Sequence, residues 1–222
     1  MSKRCRGTGH PQLHVKNASD VTIETYRNNF DKYVARTSSE TAGEFKEWLD
    51  SFAAYLPPGA SILEIGSASG RDARYLAAMG FNLVCTDVVP EALRRLSREG
   101  FKVEDYDFRD DLNPDWIGRF HGVIANASLL HAPQDVFENA LKNVFLMLRQ
   151  GGVFAFSLKA GDGEEISLEK MDAPRYFRYH SAPEVRGILA SLSFEVLVLS
   201  TAEQGKWLQI IAIAGTSKPE LN

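Results

Sequence analysis

A turn of small residues follows the apolar segment SILEI (61–65) and leads into a helical pattern, which is an arrangement that brings backbone close to a ligand. Its chemistry-bearing members are Glu64, Gly66, Ser67, Ala68, Gly70 and Arg71. Bare amides at such a helix start favour a negative group. The glycine spacing does not match the dinucleotide fingerprint G-x-G-x-x-G, and an acid stands two residues before the first glycine. The turn therefore predicts a ligand site, with an empty tight turn as the structural alternative.

A second candidate is Asp87, which directly follows the next apolar segment, NLVCT (82–86). Carboxyl ends of neighbouring parallel strands meet at one edge of a sheet, where ligands bind. A carboxylate at that edge can accept hydrogen bonds from both hydroxyls of a ribose. Asp87 therefore predicts ribose recognition, which is shared by several classes of nucleotide-binding enzyme.

The elements that position these residues alternate between apolar strands and helices. Strands are predicted at 61–65, 82–86, 102–108, 121–127, 153–158, 194–200 and 207–214, with helices at about 71–79, 90–99 and 134–149 between them. The capping-box patterns T-A-G-E (41–44) and S-A-P-E (181–184) predict two further helix starts. The pattern indicates an α/β fold with a Rossmann-like, doubly wound, mostly parallel seven-stranded sheet and an antiparallel C-terminal hairpin.

Length and charge limit the alternatives. The chain has 222 residues and a net charge of −4, which fits one globular domain and argues against nucleic acid as a partner. We expect a tail over 1–20, one domain over 21–217 with lid helices at about 22–56, and a second tail over 218–222. No apolar stretch approaches the roughly 20 residues of a membrane span, and no secretory signal pattern is visible, so we expect no membrane partner and a cytoplasmic location.

Cysteine and histidine usage suggests no metal or disulfide. Cys5 and Cys85 lie far apart in unlike surroundings, and no H-x-x-H pairing occurs. His131 stands just after the fourth predicted strand, and the ordinary histidine pKa of about 6.5 suits a general base. The alternative is a histidine of the pocket wall or a helix cap.

The spacing E-x-G-x-x-x-G resembles motif I of class I S-adenosylmethionine-dependent methyltransferases. Across 22–213 the chain is similar to small bacterial members that carry a tract like ASLLHVP, here ASLLHAP (127–133), and to their opening helix at 25–37. The resemblance implies the class I methyltransferase fold and S-adenosyl-L-methionine as the cofactor. Ala68 departs from the usual middle glycine, and Pro174 replaces the usual glycine before an arginine.

The resemblance also implies roles for individual residues. Glu64 would face the cofactor's ammonium, Asp87 its ribose, and Val88 with the third loop its adenine. The implied cofactor residues are Tyr26, Tyr33, Thr37, Glu64, Gly66, Ser67, Ala68, Gly70, Arg71, Asp87, Val88, Asp107, Phe108, Asn126 and Ala127. Asp105, Asp110 and Asp111 are alternatives to Asp107. For Tyr26 and Tyr33 the alternative is an aromatic that only packs a helix.

The activity expected from this resemblance is methyl transfer to an oxygen or nitrogen atom of a small, anionic acceptor. His131 is the catalytic candidate, and Lys159 and Arg175 are candidates for gripping a carboxylate or phosphate, with pairing to Glu164 or Glu165 as the alternative. Two other functions stay open: an S-adenosyl-binding interaction module without activity, and a nicotinamide-dependent oxidoreductase. The oxidoreductase would require a pyrophosphate-binding loop that the glycine spacing does not provide.

Overall fold

The computed structural model describes residues 18–216. The predictions for Cys5, for residues 1–17 of the first tail, for residue 217 and for the whole second tail lie outside these residues. Helix α1 begins at Ala18, so residues 18–20 are helical where a tail was predicted. The reason is polar anchoring: the Ser19 hydroxyl donates a hydrogen bond to the carbonyl of His131 (3.2 Å), an attachment that apolar periodicity does not reveal.

Seven helices and nine strands make up the described part of the chain. The helices are α1 (Ala18–Asn28), α2 (Phe30–Ala35), α3 (Gly43–Ala54), α4 (Arg71–Ala78), α5 (Pro90–Arg98), α6 (Gln134–Met147) and α7 (Ala182–Ser191). The strands are β1 (Ser61–Ile65), β2 (Asn82–Asp87), β3 (Lys102–Asp105), β4 (Phe120–Asn126), β5 (Leu148–Ala160), β6 (Glu164–Ser167), β7 (Arg175–His180), β8 (Phe194–Ala202) and β9 (Trp207–Ala214). None of these helices has the length and apolar character needed to cross a bilayer.

The seven predicted strands form one continuous sheet in the order β3-β2-β1-β4-β5-β9-β8. Neighbours from β3 to β5 are parallel, as in the register Glu64↔Cys85 between β1 and β2. Strand β9 is antiparallel to both β5 and β8. The doubly wound parallel sheet and the antiparallel C-terminal hairpin are therefore confirmed.

Two strands were not predicted. Strands β6 and β7 form an antiparallel hairpin within 160–180, a segment for which no strand was expected, and β7 joins the sheet through Lys159↔Tyr179 and Ala160↔His180 of β5. The sequence of β6, EEIS, is mostly exposed, and β7, RYFRYH, alternates aromatic with cationic residues on both faces. Neither has the apolar alternation that identifies a half-buried strand.

Apolar layers cover both faces of the sheet. Trp48, Leu49 and Phe52 of α3 pack with α4 and α5 on one face, and Phe137 of α6 packs with α7 on the other. Ser181 and Glu184 form the predicted capping box of α7. The predicted box at Thr41 does not form: the N-cap of α3 is Ala42 and makes no side-chain bond, because the Thr41 hydroxyl reaches Asp72 instead (3.3 Å).

Candidate functional site

Two adjoining cavities lie at the carboxyl ends of the parallel strands. The first runs beneath α1 and α2 over the ends of β1, β2 and β4, and the second lies between β5, the β6–β7 hairpin and the same two helices. Four residues line both: Tyr26, Tyr33, Ala127 and His131. These four residues, which we call the shared wall, lie where the two cavities meet. The first cavity is bounded by β1 and β2, and the second is bounded by charged side chains.

The small-residue turn requires both of its glycines. Gly66 (φ +78°) and Gly70 (φ +77°) adopt left-handed backbone, and a Cβ on Gly66 would lie 2.7 Å from the Cβ of Ser128. Ala68 also adopts a left-handed conformation (φ 47°) without being glycine, which costs roughly 1–2 kcal/mol. Gly66 and Ala68 line the first cavity, whereas Ser67, Gly70 and Arg71 support the turn from outside the lining.

Four amides of this turn are already bonded, so the prediction of bare amides is wrong for Gly66, Ser67, Ala68 and Gly70. The amides of Gly66 and Ser67 donate to the carbonyl of Thr86 (2.9 and 2.8 Å), and that of Gly70 donates to the carbonyl of Ser67 (2.8 Å). The amide of Ala68 donates to Asp87 Oδ2 (2.7 Å). The end of β2 therefore uses three of the donors of the turn.

Asp87 lies where β2 meets the first cavity and is only 7% exposed. Its Oδ1 accepts from the amide of Val89 (2.9 Å) and its Oδ2 from that of Ala68. Burial raises the pKa of this carboxyl, opposed by those backbone hydrogen bonds. Each oxygen has further acceptor capacity, so Asp87 can accept two more donors while it holds the turn in place.

Glu64 lies on β1 behind the turn, outside the cavity lining, and is 3% exposed. Its Oε2 has no hydrogen-bond partner among the described residues. Burial, followed by the nearby negative charge of Asp72, raises the pKa of Glu64 to about 8. An acid held protonated in this way ionises when a cation approaches.

The third loop brings one of the four candidate acids to the first cavity. Asp107 and Phe108 line it, as do Val88 and Val89, whereas Asp105, Asp110 and Asp111 are exposed and do not. The Asp107 carboxylate is already paired with Arg109 (2.6 Å), which also reaches Asp20 of α1 (2.6 Å). Asp107 therefore connects the first cavity to the helix that covers it.

A hydrogen-bond network that the sequence did not reveal fixes the end of β4. The side chain of Asn126 donates to Asp72 Oδ2 (2.6 Å) and accepts from the hydroxyl of Ser157 (2.6 Å). The same Ser157 oxygen accepts from the amide of Ala127 (2.9 Å), which has a left-handed φ of 55°. Asp72 and Ser157 thus position Asn126 and Ala127, both of which line the first cavity.

His131 is buried in the shared wall and is bonded at both ring nitrogens. Its Nδ1 lies 2.6 Å from the carbonyl of Tyr176, so Nδ1 carries the proton because a carbonyl only accepts. Its Nε2 then accepts from the hydroxyl of Tyr26 (3.1 Å). Burial lowers the pKa of His131 to about 4, and the charge of Arg175 contributes to the shift, so the ring is neutral at pH 7.

Helix α1 covers the shared wall through a stripe of hydroxyl residues at a spacing of three. Ser19 donates to His131, Thr22 accepts from the amide of Tyr176 (2.9 Å), and Thr25 donates to the carbonyl of Pro174 (2.6 Å). Ser19 and Thr22 line the first cavity and were not predicted, although the helical spacing of the three hydroxyls was a usable signal. The predicted Thr37 lines neither cavity, because its hydroxyl bonds to the carbonyl of Tyr33 (2.7 Å).

The second cavity contains both residues predicted to bind an acceptor. Arg175 is 6% exposed and donates to Tyr26 Oη (3.2 Å) and to the carbonyl of Glu169 (2.7 Å). The ammonium of Lys159 lies over the ring of Trp207, 4.6 Å from its centroid. The alternative pairing with Glu164 or Glu165 does not occur: Glu164 pairs with Arg178 and Glu165 accepts from the hydroxyl of Tyr179.

Comparisons with known proteins agree with this architecture. A family model described as a methyltransferase domain matches residues 37–198. A sarcosine/dimethylglycine N-methyltransferase of Halorhodospira halochloris is 29% identical over 179 residues, covering 72% of this chain and 61% of that protein. A protein-L-isoaspartate O-methyltransferase of Gloeobacter violaceus is 46% identical over 48 residues, covering 22% of this chain and 23% of that protein.

A solved structure extends the likeness over the whole fold. The 1,6-didemethyltoxoflavin-N1-methyltransferase of Burkholderia thailandensis, with bound 1,6-didemethyltoxoflavin and S-adenosylhomocysteine, superposes with a TM-score of 0.69 at 19% identity, covering 94% of this chain and 93% of that one. At this identity the likeness shows the fold, which is that of class I methyltransferases. The chain spans less than two thirds of the length of both curated relatives. On the strength of the family match, the chain belongs to the methyltransferase domain family.

Proposed function

We propose that this protein transfers a methyl group from S-adenosyl-L-methionine to an oxygen or nitrogen atom of a small, anionic molecule. The observation that carries the proposal is that two cavities meet at the shared wall. The first contains Asp87 at the end of β2, which suits a nucleoside, and the second contains the cations of Lys159 and Arg175. Methyl transfer requires two substrates that meet where the two cavities join, with their reacting atoms in contact and aligned.

The first cavity fits S-adenosylmethionine in two respects. Asp87 retains acceptor capacity for the ribose hydroxyls, and Val88, Asp107 and Phe108 would enclose the adenine. Glu64, whose Oε2 is buried without a partner, provides a negative charge for an ammonium group at the other end. When bound, this cofactor supplies a methyl group activated by a sulfonium. The bound S-adenosylhomocysteine in the Burkholderia thailandensis relative supports the same assignment.

The nicotinamide alternative loses support because the glycine spacing is not that of the pyrophosphate-binding fingerprint and because the amides of Gly66, Ser67, Ala68 and Gly70 are bonded within the protein. An interaction module without activity remains the second candidate, favoured only by the strained Ala68 at the cavity. Turnover on any acceptor removes that candidate.

We also propose that the acceptor is a small molecule and that nucleic acid is not a partner. The sarcosine/dimethylglycine and toxoflavin methyltransferases act, by their names, on small molecules, which supports a small acceptor here. The net charge of −4 supports the absence of a nucleic-acid partner. We expect the protein to act in the cytoplasm as the single domain predicted over 21–217, extended at its start to Ala18 because α1 begins there.

His131 is a weak base at pH 7 because its pKa lies near 4, which supports the wall alternative over proton removal. It accepts the hydroxyl proton of Tyr26 in a hydrogen bond and so orients that ring in the shared wall. Replacing His131 with Gln should lower kcat much more than cofactor affinity if the wall aligns the acceptor. Equal losses of both would contradict a role at the reacting atoms.

The binding test is isothermal titration with S-adenosylhomocysteine, beside Asp87→Asn and a titration with NADH. Loss of two charge-assisted hydrogen bonds, each worth about 1.5–3 kcal/mol, predicts at least a 100-fold weaker Kd for Asp87→Asn. Asp110→Asn is the matched control, since Asp110 is exposed and lines neither cavity. Tight binding of NADH, or unchanged affinity in Asp87→Asn, would contradict the proposal.

A further inference from the structure

We infer that the acceptor carries a single carboxylate on the carbon that bears its nucleophile, as in a 2-amino acid or a 2-hydroxy acid. The inference rests on the proposed function, because it assumes that methyl transfer takes place across the shared wall. It assigns to Arg175 the recognition of that carboxylate.

The first step is the unmatched charge of Arg175. The guanidinium is buried, yet none of the ion pairs between described residues includes it. The guanidinium donates hydrogen bonds to two neutral acceptors, the hydroxyl of Tyr26 and the carbonyl of Glu169, and its Nε is buried without a partner among the described residues. A buried cation is costly unless an anion accompanies it. The arginine therefore forms a built site for a carboxylate, which its planar fork can bind through two parallel hydrogen bonds.

The second step is the balance of the other charges. Lys159 and Lys170 line the second cavity together with Glu165 and Glu169. The two lysines also lie over aromatic rings, those of Trp207 and Tyr33 (4.6 and 4.8 Å to the centroids). The three cations and two acids that line the second cavity leave an excess of one positive charge, although no ion pair between described residues joins either lysine to Glu165 or Glu169. This excess favours an acceptor with one carboxylate over an acceptor with two.

The third step is the distance from Arg175 to the place of reaction. Its Nη1 lies 3.2 Å from Tyr26 Oη, and that oxygen lies 3.1 Å from Nε2 of His131. Tyr26 and His131 both belong to the shared wall. A carboxylate oxygen binds a guanidinium nitrogen at about 2.8 Å, so a carboxylate on Arg175 lies directly beside that wall. The nucleophile at the wall is then one carbon from the carboxylate, and each added methylene moves it away.

The experiment measures transfer of a labelled methyl group by the intact protein to acceptors that differ in spacing. The probes are N-methylglycine, 3-(methylamino)propanoate and 4-(methylamino)butanoate, with 2-hydroxypropanoate against 3-hydroxypropanoate and the methyl ester of each active acid. We expect turnover to fall at least tenfold per added methylene and the esters to be inactive. The amine and hydroxy-acid series distinguish a nitrogen nucleophile from an oxygen nucleophile.

Binding provides an independent readout. The active acid is titrated into protein loaded with S-adenosylhomocysteine, for the parent, for Arg175→Gln and for Arg178→Gln. Arg178 is the matched control: it is also on β7, but it pairs with Glu164 and Glu184 (3.0 Å each) and lines neither cavity. We expect Arg175→Gln to weaken the acid at least 100-fold, with unchanged binding of S-adenosylhomocysteine, and Arg178→Gln to retain both affinities.

The outcomes separate this inference from the proposed function. If S-adenosylhomocysteine binds but distant or uncharged acceptors react as well as adjacent acids, the inference is overturned and the methyltransferase function stands. If S-adenosylhomocysteine binds and no acid of any spacing binds or reacts, the inference is also overturned. If S-adenosylhomocysteine itself does not bind, both proposals fail.

Discussion

Replacing Glu64 with Gln should make the protein more stable and a poorer binder of its cofactor. The carboxyl of Glu64 is buried on β1, its Oε2 has no partner, and burial raises its pKa to about 8. Glutamine has nearly the same shape and no proton to lose. The substitution therefore removes the cost of ionising a buried acid, and with it the negative charge that would face an ammonium.

The size of the effect follows from the raised pKa. The folded state keeps the Glu64 proton to a higher pH than the unfolded state does. The stability that this proton contributes is therefore fully present below the unfolded pKa, near 4.5, and is lost as the pH rises to about 8. At about 1.4 kcal/mol per pH unit, the loss is roughly 3 kcal/mol at pH 7 and roughly 5 kcal/mol above pH 8. Glu64→Gln should regain these amounts, which at pH 7 corresponds to a Tm about 6–12 °C higher for a domain of this size.

The assay is urea unfolding followed by circular dichroism at pH 5, 7 and 8.5. We expect the free energy of unfolding of Glu64→Gln to exceed that of the parent by a margin that grows with pH, at unchanged m-value. Glu195→Gln, which changes an exposed glutamate of β8, should show no such growth. In parallel, the affinity of the parent for S-adenosylhomocysteine should rise with pH up to about 8, and that of Glu64→Gln should be at least tenfold weaker and independent of pH.

A margin that stays constant from pH 5 to 8.5 would refute the reasoning, because it would mean that Glu64 is ionised and solvated in the free protein. Equal affinity of the two proteins for S-adenosylhomocysteine would separately refute the pairing of Glu64 with an ammonium.

Three further substitutions test the supports of the site. Gly70→Ala should destabilise the protein by about 2–4 kcal/mol in urea unfolding, because it places an alanine in left-handed backbone with its Cβ against Leu96. The control Gly80→Ala, whose added Cβ meets no atom, should lower the free energy of unfolding by only about 1 kcal/mol. Ser157→Ala should cost about 1–3 kcal/mol and lower kcat, because the amide of Ala127 and the side chain of Asn126 lose their shared partner, whereas Ser191→Ala on the exposed end of α7 should be nearly neutral in both measurements. Lowering the pH from 7 to 5 should reduce the free energy of unfolding by about 2 kcal/mol through His131, because its pKa is about 6.5 in the unfolded chain and about 4 in the folded protein. The pKa of His180 is lowered in the same direction. An acid-unfolding profile of His131→Gln as steep as that of the parent would contradict the assignment to His131.

The parts of the fold that depend on apolar burial were predictable from sequence. Strands such as β1 and β4 are apolar on both faces because helices cover both sides of the sheet, and the glycines at Gly66 and Gly70 mark the turn that follows β1. The same patterns placed Asp87 at the first cavity, whereas Arg175, which lies on an unpredicted strand, was a candidate only through the family resemblance. The predictions of these strands and of Asp87 needed only periodicity and the rule that parallel strands share a carboxyl edge.

The parts that depend on polar contacts were not predictable in the same way. The hydroxyls of Ser19 and Thr25 fasten α1 to its neighbours by bonds between residues more than a hundred positions apart. The N-terminal box at Thr41 failed because Asp72, distant in sequence, attracts that hydroxyl. The amides of the turn looked available because the carbonyl of Thr86, which accepts two of them, comes from a different strand. Such partners are chosen by the tertiary structure and leave no local pattern.

The way in which α1 is attached has a consequence for its motion. Its stripe of hydroxyls bonds to His131, to β7 and to the segment before β7, and among its described residues Tyr26 packs only against the small apolar cluster of Phe30, Val89 and Ala92, not against the two large clusters that cover the sheet. Water can replace each of these hydrogen bonds when the helix detaches, so its release exposes far less apolar surface than global unfolding does. Opening of this kind depends weakly on denaturant, since the m-value scales with the surface exposed. The amide protons of α1 should thus exchange with solvent at rates nearly independent of urea, while those of β1 and β4 wait for global unfolding.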